Sequence, residues 1–363
     1  MLIYQIALSL IPGIGDINAK RLVAYCGGVQ AVFTERKKAL LKIPGIGEAT
    51  VNSLVSHNVF PRAEKEMEFI EKYAINHFFF LDEGYPIRLK QCVDSPIMLY
   101  FKGNAALNQQ RIVSVVGTRR ATDYGKHICR DLIEGMASLG VLVVSGLAYG
   151  IDTVAHKSAM DTGLSTIAVL GHGLDRIYPP LNRSLAGRIV NQGGLLTEFL
   201  SESNPDRENF PKRNRIVAGI ADATIVIEAG NKGGALITAD IANSYNRDVF
   251  AVPGRIGDEF SEGCNNLIRT NRAALIHSAK DISYIMNWDI SPASSASPQR
   301  ELLLEMTPGE EKIIAILKQH GECAMDMLSA ESQLVPSQLA SALLNLEFEG
   351  IVKCLPGKVF RLI

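Results

Sequence analysis

The sequence has no apolar run approaching the roughly 18–20 residues that a membrane-spanning helix needs. Its N-terminus shows no basic segment and no small-residue cleavage site, so no secretory leader is expected. No two of its six cysteines stand at CxxC spacing, and none lies beside a histidine pair at zinc-ligand spacing. Buried thiols in a reducing, cytoplasmic compartment are the expectation, with no metal and no cofactor. GxxxxGK[ST] is missing, which argues against a P-loop NTPase, and no GxGxxG follows the first strong strand pattern, which argues against a dinucleotide-dependent enzyme. A surplus of positive charge is missing too. The 37 basic residues against 38 acidic ones give a formal charge of −1, so any binding of a polyanion must come from local patches.

What the chain does have, over 363 residues, is 47% apolar and 21% charged residues, enough for two or three domains with real cores. Residues 1–75 read as helices separated by Pro-Gly punctuation. The pentapeptide IPGIG occurs there twice, at 11–15 and 43–47, each time ahead of a helix-like run. No apolar strand leads into either copy, so neither is a dinucleotide loop. Both resemble the turn of a helix-hairpin-helix unit, in which Gly13, Gly15, Gly45 and Gly47 leave backbone N–H groups facing a phosphate. Lys20 and Arg21 follow the first copy, whereas EATVNSL after the second carries no cation. Gly13, Gly15, Lys20 and Arg21 are therefore candidates for an auxiliary DNA contact, with a purely structural module as the competing reading.

From about residue 110 the pattern changes. IVSVV (112–116), VLVVS (141–145), TIAVL (166–170), TIVIE (224–228) and DVFAV (248–252) are continuous apolar runs with helix-length segments between most of them, and LLTEF (195–199) is a further candidate strand. Such runs suit a doubly wound parallel sheet covered on both faces. SPASSASPQ at 291–299 reads as a linker. Beyond it, 307–363 shows three helix patterns and a hairpin turning at Pro356-Gly357, the order of a winged helix. Its third helix pattern holds Glu347 and Glu349 and no cation, so groove reading is not expected of it and a protein-contact or structural role is favoured. The organisation expected is 1–75 helical, 76–290 doubly wound, 291–306 linker and 307–363 winged helix.

In a doubly wound sheet, ligands bind outside the carboxyl ends of the strands. Five of the strand candidates run into glycine there: Gly117, Gly146, Gly171, Gly230 and Gly254. Together they suggest an anion or phosphate surface. The most basic short stretch, Arg207-Glu208-Asn209-Phe210-Pro211-Lys212-Arg213-Asn214-Arg215, has four cations and one acid in nine residues. Cations with an interleaved ring suit single-stranded nucleic acid, whose bases stack while arginine forks hold phosphates. No set of His, Ser and Asp has catalytic spacing. Asp152 and His156 share a helix face and read as a structural pair, and His172 as a loop residue without apparent partner.

These segments also carry a resemblance. GTRRATDYG, SGLAYGIDTVAH, TIAVLGHGLDRIYPPLN, FPKRNRIVAGIADATIVIEA, GGALITADIA and VFAVPG together resemble the DNA-processing protein A family, also called Smf, over about 77–285. The resemblance implies an extended Rossmann-like fold between a helix-hairpin-helix or SAM-like N-terminal domain and a C-terminal winged helix. It further implies a cytoplasmic homodimer that binds single-stranded DNA and loads the RecA recombinase during natural transformation, also where single-strand-binding protein covers the DNA. The residues it nominates are Arg119, Arg207, Lys212, Arg213 and Arg215 for phosphates, Phe210 for base stacking, and Gly117, Gly233 and Gly234 for a further phosphate on backbone N–H groups. The sequence departs from the family pattern where Gly233 and Ala235 take the places of serines on either side of a glycine, with the preceding Lys232 compensating by charge, and where Tyr149 takes the place of a common arginine. The alternative is an enzyme of the nucleotide phosphoribohydrolase type, whose PGGxGTxxE loop is only partly matched by GGALITAD, with Asp240 the nearest acid.

Overall fold

The computed structural model describes residues 1–288, 307–348, 350–355 and 358–362. The expected linker at 291–306, Glu349 and the turn at Pro356-Gly357 lie outside the described residues. The chain forms two compact units, Met1–Asp289 and Ile290–Ile363. No described helix is long and apolar enough to cross a membrane.

A nine-stranded sheet organises the first unit. Its strands are β1 (Asn76–Phe79), β2 (Met98–Gly103), β3 (Ile112–Val116), β4 (Leu142–Ser145), β5 (Thr166–Val169), β6 (Gly193–Thr197), β7 (Ala223–Val226), β8 (Asp248–Ala251) and β9 (Ala274–Leu275). They lie in the order β1-β2-β6-β5-β4-β3-β7-β8-β9. From β6 to β9 every pairing is parallel, with Val113 opposite Val143 and Ala223. β2 runs antiparallel to β6, and β1 to β2.

Because strand side chains alternate in direction, each continuous apolar run feeds two cores. Leu142 and Val144 pack on one face with Ile216, Val217 and Ala239, from the helices Asn209–Ile220 and Gly234–Ser244. Val113 and Val143 pack on the other face with Ile133 and Ala155, from Asp123–Met136 and Ile151–Asp161. The doubly wound architecture expected from the alternating pattern is thus present. β6 begins two residues earlier than LLTEF, at Gly193-Gly194, where neighbours come very close. A Cβ on Gly193 would stand 1.8 Å from the Thr166 carbonyl oxygen, and one on Gly194 would stand 2.2 Å from the Phe101 ring.

Residue 75 ends the helical segment but not the packing unit. Ile6, Leu22, Leu40, Val51 and Leu54 share one core with Phe79, Ile97, Met98 and Tyr100 of the β1–β2 region. Both IPGIG copies adopt the same turn. Ile14 N–H donates to the Ile11 carbonyl at 3.2 Å and Ile46 N–H to that of Ile43 at 3.1 Å. Gly13 and Gly45 have φ of 78° and 77°, as a Pro-Gly turn of type II requires. Ile11, Ile14, Ile43 and Ile46 are all buried, so each hairpin is anchored in that core.

The second unit has the helices Pro308–His320, Met325–Ser332 and Pro336–Phe348 and a three-stranded sheet in the order β10 (Glu322–Ala324), β12 (Val359–Leu362), β11 (Val352–Leu355). Its first helix starts on the capping box that TPGE spells. The Thr307 hydroxyl accepts from Glu310 N–H, while the Glu310 carboxylate accepts from Thr307 N–H at 2.8 Å.

Candidate nucleic-acid interface

Parallel pairing places the ends of β3, β4, β5, β7 and β8 on one edge, and with them Gly117, Gly146, Gly171, Gly230 and Gly254. A cleft of about 870 Å³ opens there. Gly117, Thr118 and Arg119 after β3 form one wall; Arg207, Phe210 and Arg213 form a second; Gly230 to Gly234 form a third. Of the ten residues nominated for the main site, the cleft unites eight: Gly117, Arg119, Arg207, Phe210, Arg213, Lys232, Gly233 and Gly234. Gly171 and Gly254 stand at the same edge but outside this cleft, and Tyr149 does not line it.

The turn after β3 is held from both sides. Thr118 N–H donates to the Glu228 carbonyl at 2.8 Å, and the Thr118 carbonyl accepts from Ile151 N–H at 3.2 Å. Gly150 lies against it with φ 77°, where a Cβ would be 2.2 Å from the Thr118 carbonyl oxygen. Arg119 projects from this braced turn with its side chain exposed, its guanidinium carbon 5.6 Å from the centre of the Phe210 ring. Tyr178 adds a second ring, 6.0 Å from that of Phe210.

FPKRNR opens the helix Asn209–Ile220, and the helix carries two of the nominated cations, Lys212 and Arg215, away from this cleft. Lys212 is exposed and does not line the cleft. Arg215 turns away from the strand edge: its Nη2 meets the Asp16 carboxylate at 3.0 Å and also the Glu198 carboxylate, and its Nη1 donates to the Asp94 carbonyl. Burial alone would weaken that charge, but Glu198 and Asp16 outweigh it and raise the Arg215 pKa. Arg215 ties this helix to the first hairpin, because Asp16 is the residue after Gly15. Residues two apart on a helix face different ways, so a basic run cannot deliver every cation to one side.

Arg213 forms the floor. It is 5% exposed, and its Nη1 donates to the Val169 carbonyl at 2.6 Å. It fits only because Gly146 lacks a Cβ, which would stand 1.9 Å from that nitrogen. Burial lowers its pKa, Asp152 opposes that shift, and the nearby like charge of Arg119 adds to it. Its Nε is buried without a hydrogen-bond partner in the described structure. Arginine stays charged under all these influences, so two cations converge on the cleft with one buried acid behind them. That acid, Asp152, has its pKa raised by burial against the pull of Arg213.

His156 and His172 serve structure. His156 Nδ1 meets the Thr166 hydroxyl at 2.7 Å, and burial, seconded by Arg213, pushes its pKa down to about 3. It is a neutral core residue and no proton relay with Asp152. His172 does have partners: Nδ1 donates to the Gly173 carbonyl at 2.9 Å and Nε2 accepts from Tyr178 N–H at 3.2 Å. Burial lowers its pKa, and it fixes the turn that carries Tyr178.

At the third wall, Gly233 caps the helix Gly234–Ser244, whose first-turn N–H groups have no intrahelical acceptor. Lys232 stands exposed beside them. Asp240, the acid considered for a hydrolase, is ion-paired with Arg272 and does not line the cleft.

The first hairpin differs from expectation. Lys20 Nζ donates to the Ser95 hydroxyl at 2.7 Å and to the Val93 carbonyl at 3.1 Å, and burial lowers its pKa. It faces the protein body, not the hairpin turn. Arg21 lies over the second copy, where a Cβ on Gly45 would be 2.2 Å from its Nη1.

Sequence reasoning missed Tyr178, although it stands in the motif IYPPLN, and Phe260, which also lines the cleft. Neither has a local signal, since each reaches the site only through the topology.

Comparison with known proteins assigns the fold and its relatives. Residues 76–287 match the family model described as DNA recombination-mediator protein A, and 291–358 match the DprA winged helix domain. Protein Smf of Synechocystis sp. is 32% identical over 99% of this chain and 98% of its own length. The DNA processing protein DprA of Streptococcus pneumoniae is 42% identical over 56% of this chain and 72% of its own. The crystal structure of the pneumococcal protein superposes with a TM-score of 0.69 at 33% identity, covering 78% of this chain and 98% of that one. A Helicobacter pylori DNA processing protein A, described for its single-stranded DNA binding mode, gives 0.54 at 29% identity over 59% of this chain and 95% of that one.

Proposed function

We propose a function from one premise: the chain belongs to the DNA recombination-mediator protein A family. The cleft at the strand edge binds single-stranded DNA. The observation that carries this reading is the convergence of Arg119 and Arg213 on one cleft in which Arg119 already lies over the Phe210 ring. Two like charges held near each other favour an anion between them, and a ring beside them offers a stacking face for a base. Arg119, Arg207 and Lys232 hold phosphates, with backbone N–H groups at Gly117, Gly233 and Gly234. Arg213 sets the potential of the floor. Phosphate contacts position a strand without reading it, so binding is sequence-tolerant.

In the cell this is the activity of a cytoplasmic mediator without catalysis. It protects incoming single strands and hands them to the RecA recombinase during natural transformation, acting as a homodimer and also on DNA covered by single-strand-binding protein. The test is fluorescence anisotropy with single-stranded and duplex oligonucleotides over a salt series, followed by RecA filament assembly on coated strands. Preference for the single strand and RecA assembly that depends on this protein are expected. Equal affinity for duplex, or cleavage of nucleoside monophosphates without DNA binding, overturns the reading.

A further inference from the structure

The turn after β3 carries two consecutive arginines, and each lies over a different phenylalanine. Arg119 is 5.6 Å from the ring centre of Phe210, and Arg120 is 5.6 Å from that of Phe260. The rings come from distant parts of the chain, Phe210 from the helix Asn209–Ile220 and Phe260 from the loop after β8. Both line the first cleft. Phe260 also lines a second cleft of about 900 Å³, together with Tyr124, Pro253, Gly254, Arg255, Asp258 and Glu259. Phe260 and Glu259 are common to the two, so the clefts adjoin along this ridge.

The ridge is built, not loose. The Phe260 carbonyl accepts from Ala229 N–H at 2.8 Å, directly beyond β7. Asn265 closes the loop by accepting from Gly254 N–H at 3.1 Å and donating to the Gly254 carbonyl at 3.0 Å. Tyr124 reaches across to donate to the Pro253 carbonyl at 3.0 Å. The Glu228 carboxylate at the back of the second cleft is engaged by the N–H and hydroxyl of Thr122. Phe260 itself remains partly exposed, and Arg120 is exposed.

A single strand presents a phosphate and a base at every nucleotide, so a run of nucleotides needs cation and ring in repetition. Arg119 with Phe210 supplies one such pair, and Arg120 with Phe260 supplies the next. On the lining of the second cleft the exposed carboxylates Asp258 and Glu259 outnumber the one cation, Arg255, which favours the base there while its phosphate stays with Arg120. We propose that the strand continues past Phe210 to a second nucleotide subsite, where Phe260 stacks the neighbouring base and Arg120 holds its phosphate. This rests on the strand occupying the first cleft.

The experiment measures affinity of the full chain for oligothymidylates of increasing length, in the parent and in Phe260→Leu, Phe260→Tyr, Arg120→Ala and Arg119→Ala. Leucine keeps the apolar bulk and removes the ring; tyrosine keeps the ring. The expected result is that Phe260→Leu weakens binding about five- to hundredfold once the oligonucleotide is long enough to reach both rings, as loss of one stacked base does. Arg120→Ala follows the same length dependence, Phe260→Tyr binds like the parent, and Arg119→Ala weakens every length. Phe260→Leu binding like the parent while Arg119→Ala fails at all lengths overturns the second subsite alone. Arg119→Ala also binding like the parent overturns the first cleft with it.

Discussion

The molecule contains two sets of glycine turns with cations beside them, and they end differently. At the IPGIG hairpins, Lys20 is hydrogen-bonded to Ser95 and Val93, and Asp16 accepts from Ile97 N–H at 2.8 Å while pairing with Arg215. At the strand edge, Arg119 and Arg207 stand exposed, and Arg213 is buried with one nitrogen unpartnered. Both regions read as phosphate sites from glycine and basic residues. What separates Lys20 and Arg215 from Arg119 and Arg207 is whether the charge is already engaged by the protein's own carboxylates and carbonyls. Hairpin cations that join the body hold the fold; strand-edge cations that face a cleft can bind.

The largest expected effect comes from the residue that joins the two regions. Arg215→Ala leaves the Asp16 and Glu198 carboxylates half-buried or buried without their cation, and breaking such a pair costs about 3–5 kcal/mol. Urea denaturation should show this loss, while the salt dependence of single-strand binding at a temperature where the variant is folded stays unchanged. A reduced salt slope in Arg215→Ala would place Arg215 among the phosphate contacts and break the comparison.

The sequence alone made the strand edge legible for a physical reason. Parallel strands end on one edge, so glycines after five separate strands had to meet. The basic run was legible as composition but not as geometry. Once 209–220 is a helix, Arg213 and Arg215 point apart, one to the cleft floor and one to the hairpin. The Lys20 contact crosses more than seventy residues to Ser95, and nothing local announces it. Phe260 and Tyr178 were invisible for the same reason, since loops far apart in sequence bring them to the cleft. β1 and β2 pair antiparallel on one side of the sheet, outside the strand–helix alternation that revealed the rest.

A second effect lies beneath the cleft and has no counterpart at the hairpins. His156 is fully buried and neutral, with its pKa pushed down to about 3 by burial and then by Arg213. Its folded value lies below the unfolded one, so the unfolded state binds more protons between the two. Stability is therefore complete above about pH 6.5 and falls as pH drops toward 3, by roughly 3 kcal/mol between pH 7 and pH 4 from this group. Denaturation midpoints at both pH values, in the parent and in His156→Gln, should show a shallower acid loss in the variant. Parallel curves would mean that His156 does not carry the acid sensitivity.

Third comes the exposed cation itself. Arg119→Ala removes a charged donor and its stack on Phe210, and hydrogen bonds to charged groups contribute about 1.5–3 kcal/mol, or roughly ten- to hundredfold in affinity. The loss should be the same for every base composition, and the slope of log K against log salt should shrink by about 0.7 for each phosphate contact removed. Thermal stability should barely move, the opposite of Arg215→Ala.

The smallest effect tests the hairpins directly. Lys20→Ala deletes two hydrogen bonds within the protein, so the expected cost is about 1 kcal/mol of stability and less than a twofold change in single-strand affinity. Arg21 is exposed and lies on the second turn, at Gly45, so Arg21→Ala separates the two copies. If only the strand edge carries the strand, both variants keep the parent's salt slope. A slope reduced by about 0.7 in Arg21→Ala but not in Lys20→Ala would move the auxiliary contact from the first hairpin to the second. The same reduction in Lys20→Ala would show that DNA detaches Lys20 from Ser95, and engagement in the free protein would then no longer distinguish the two regions.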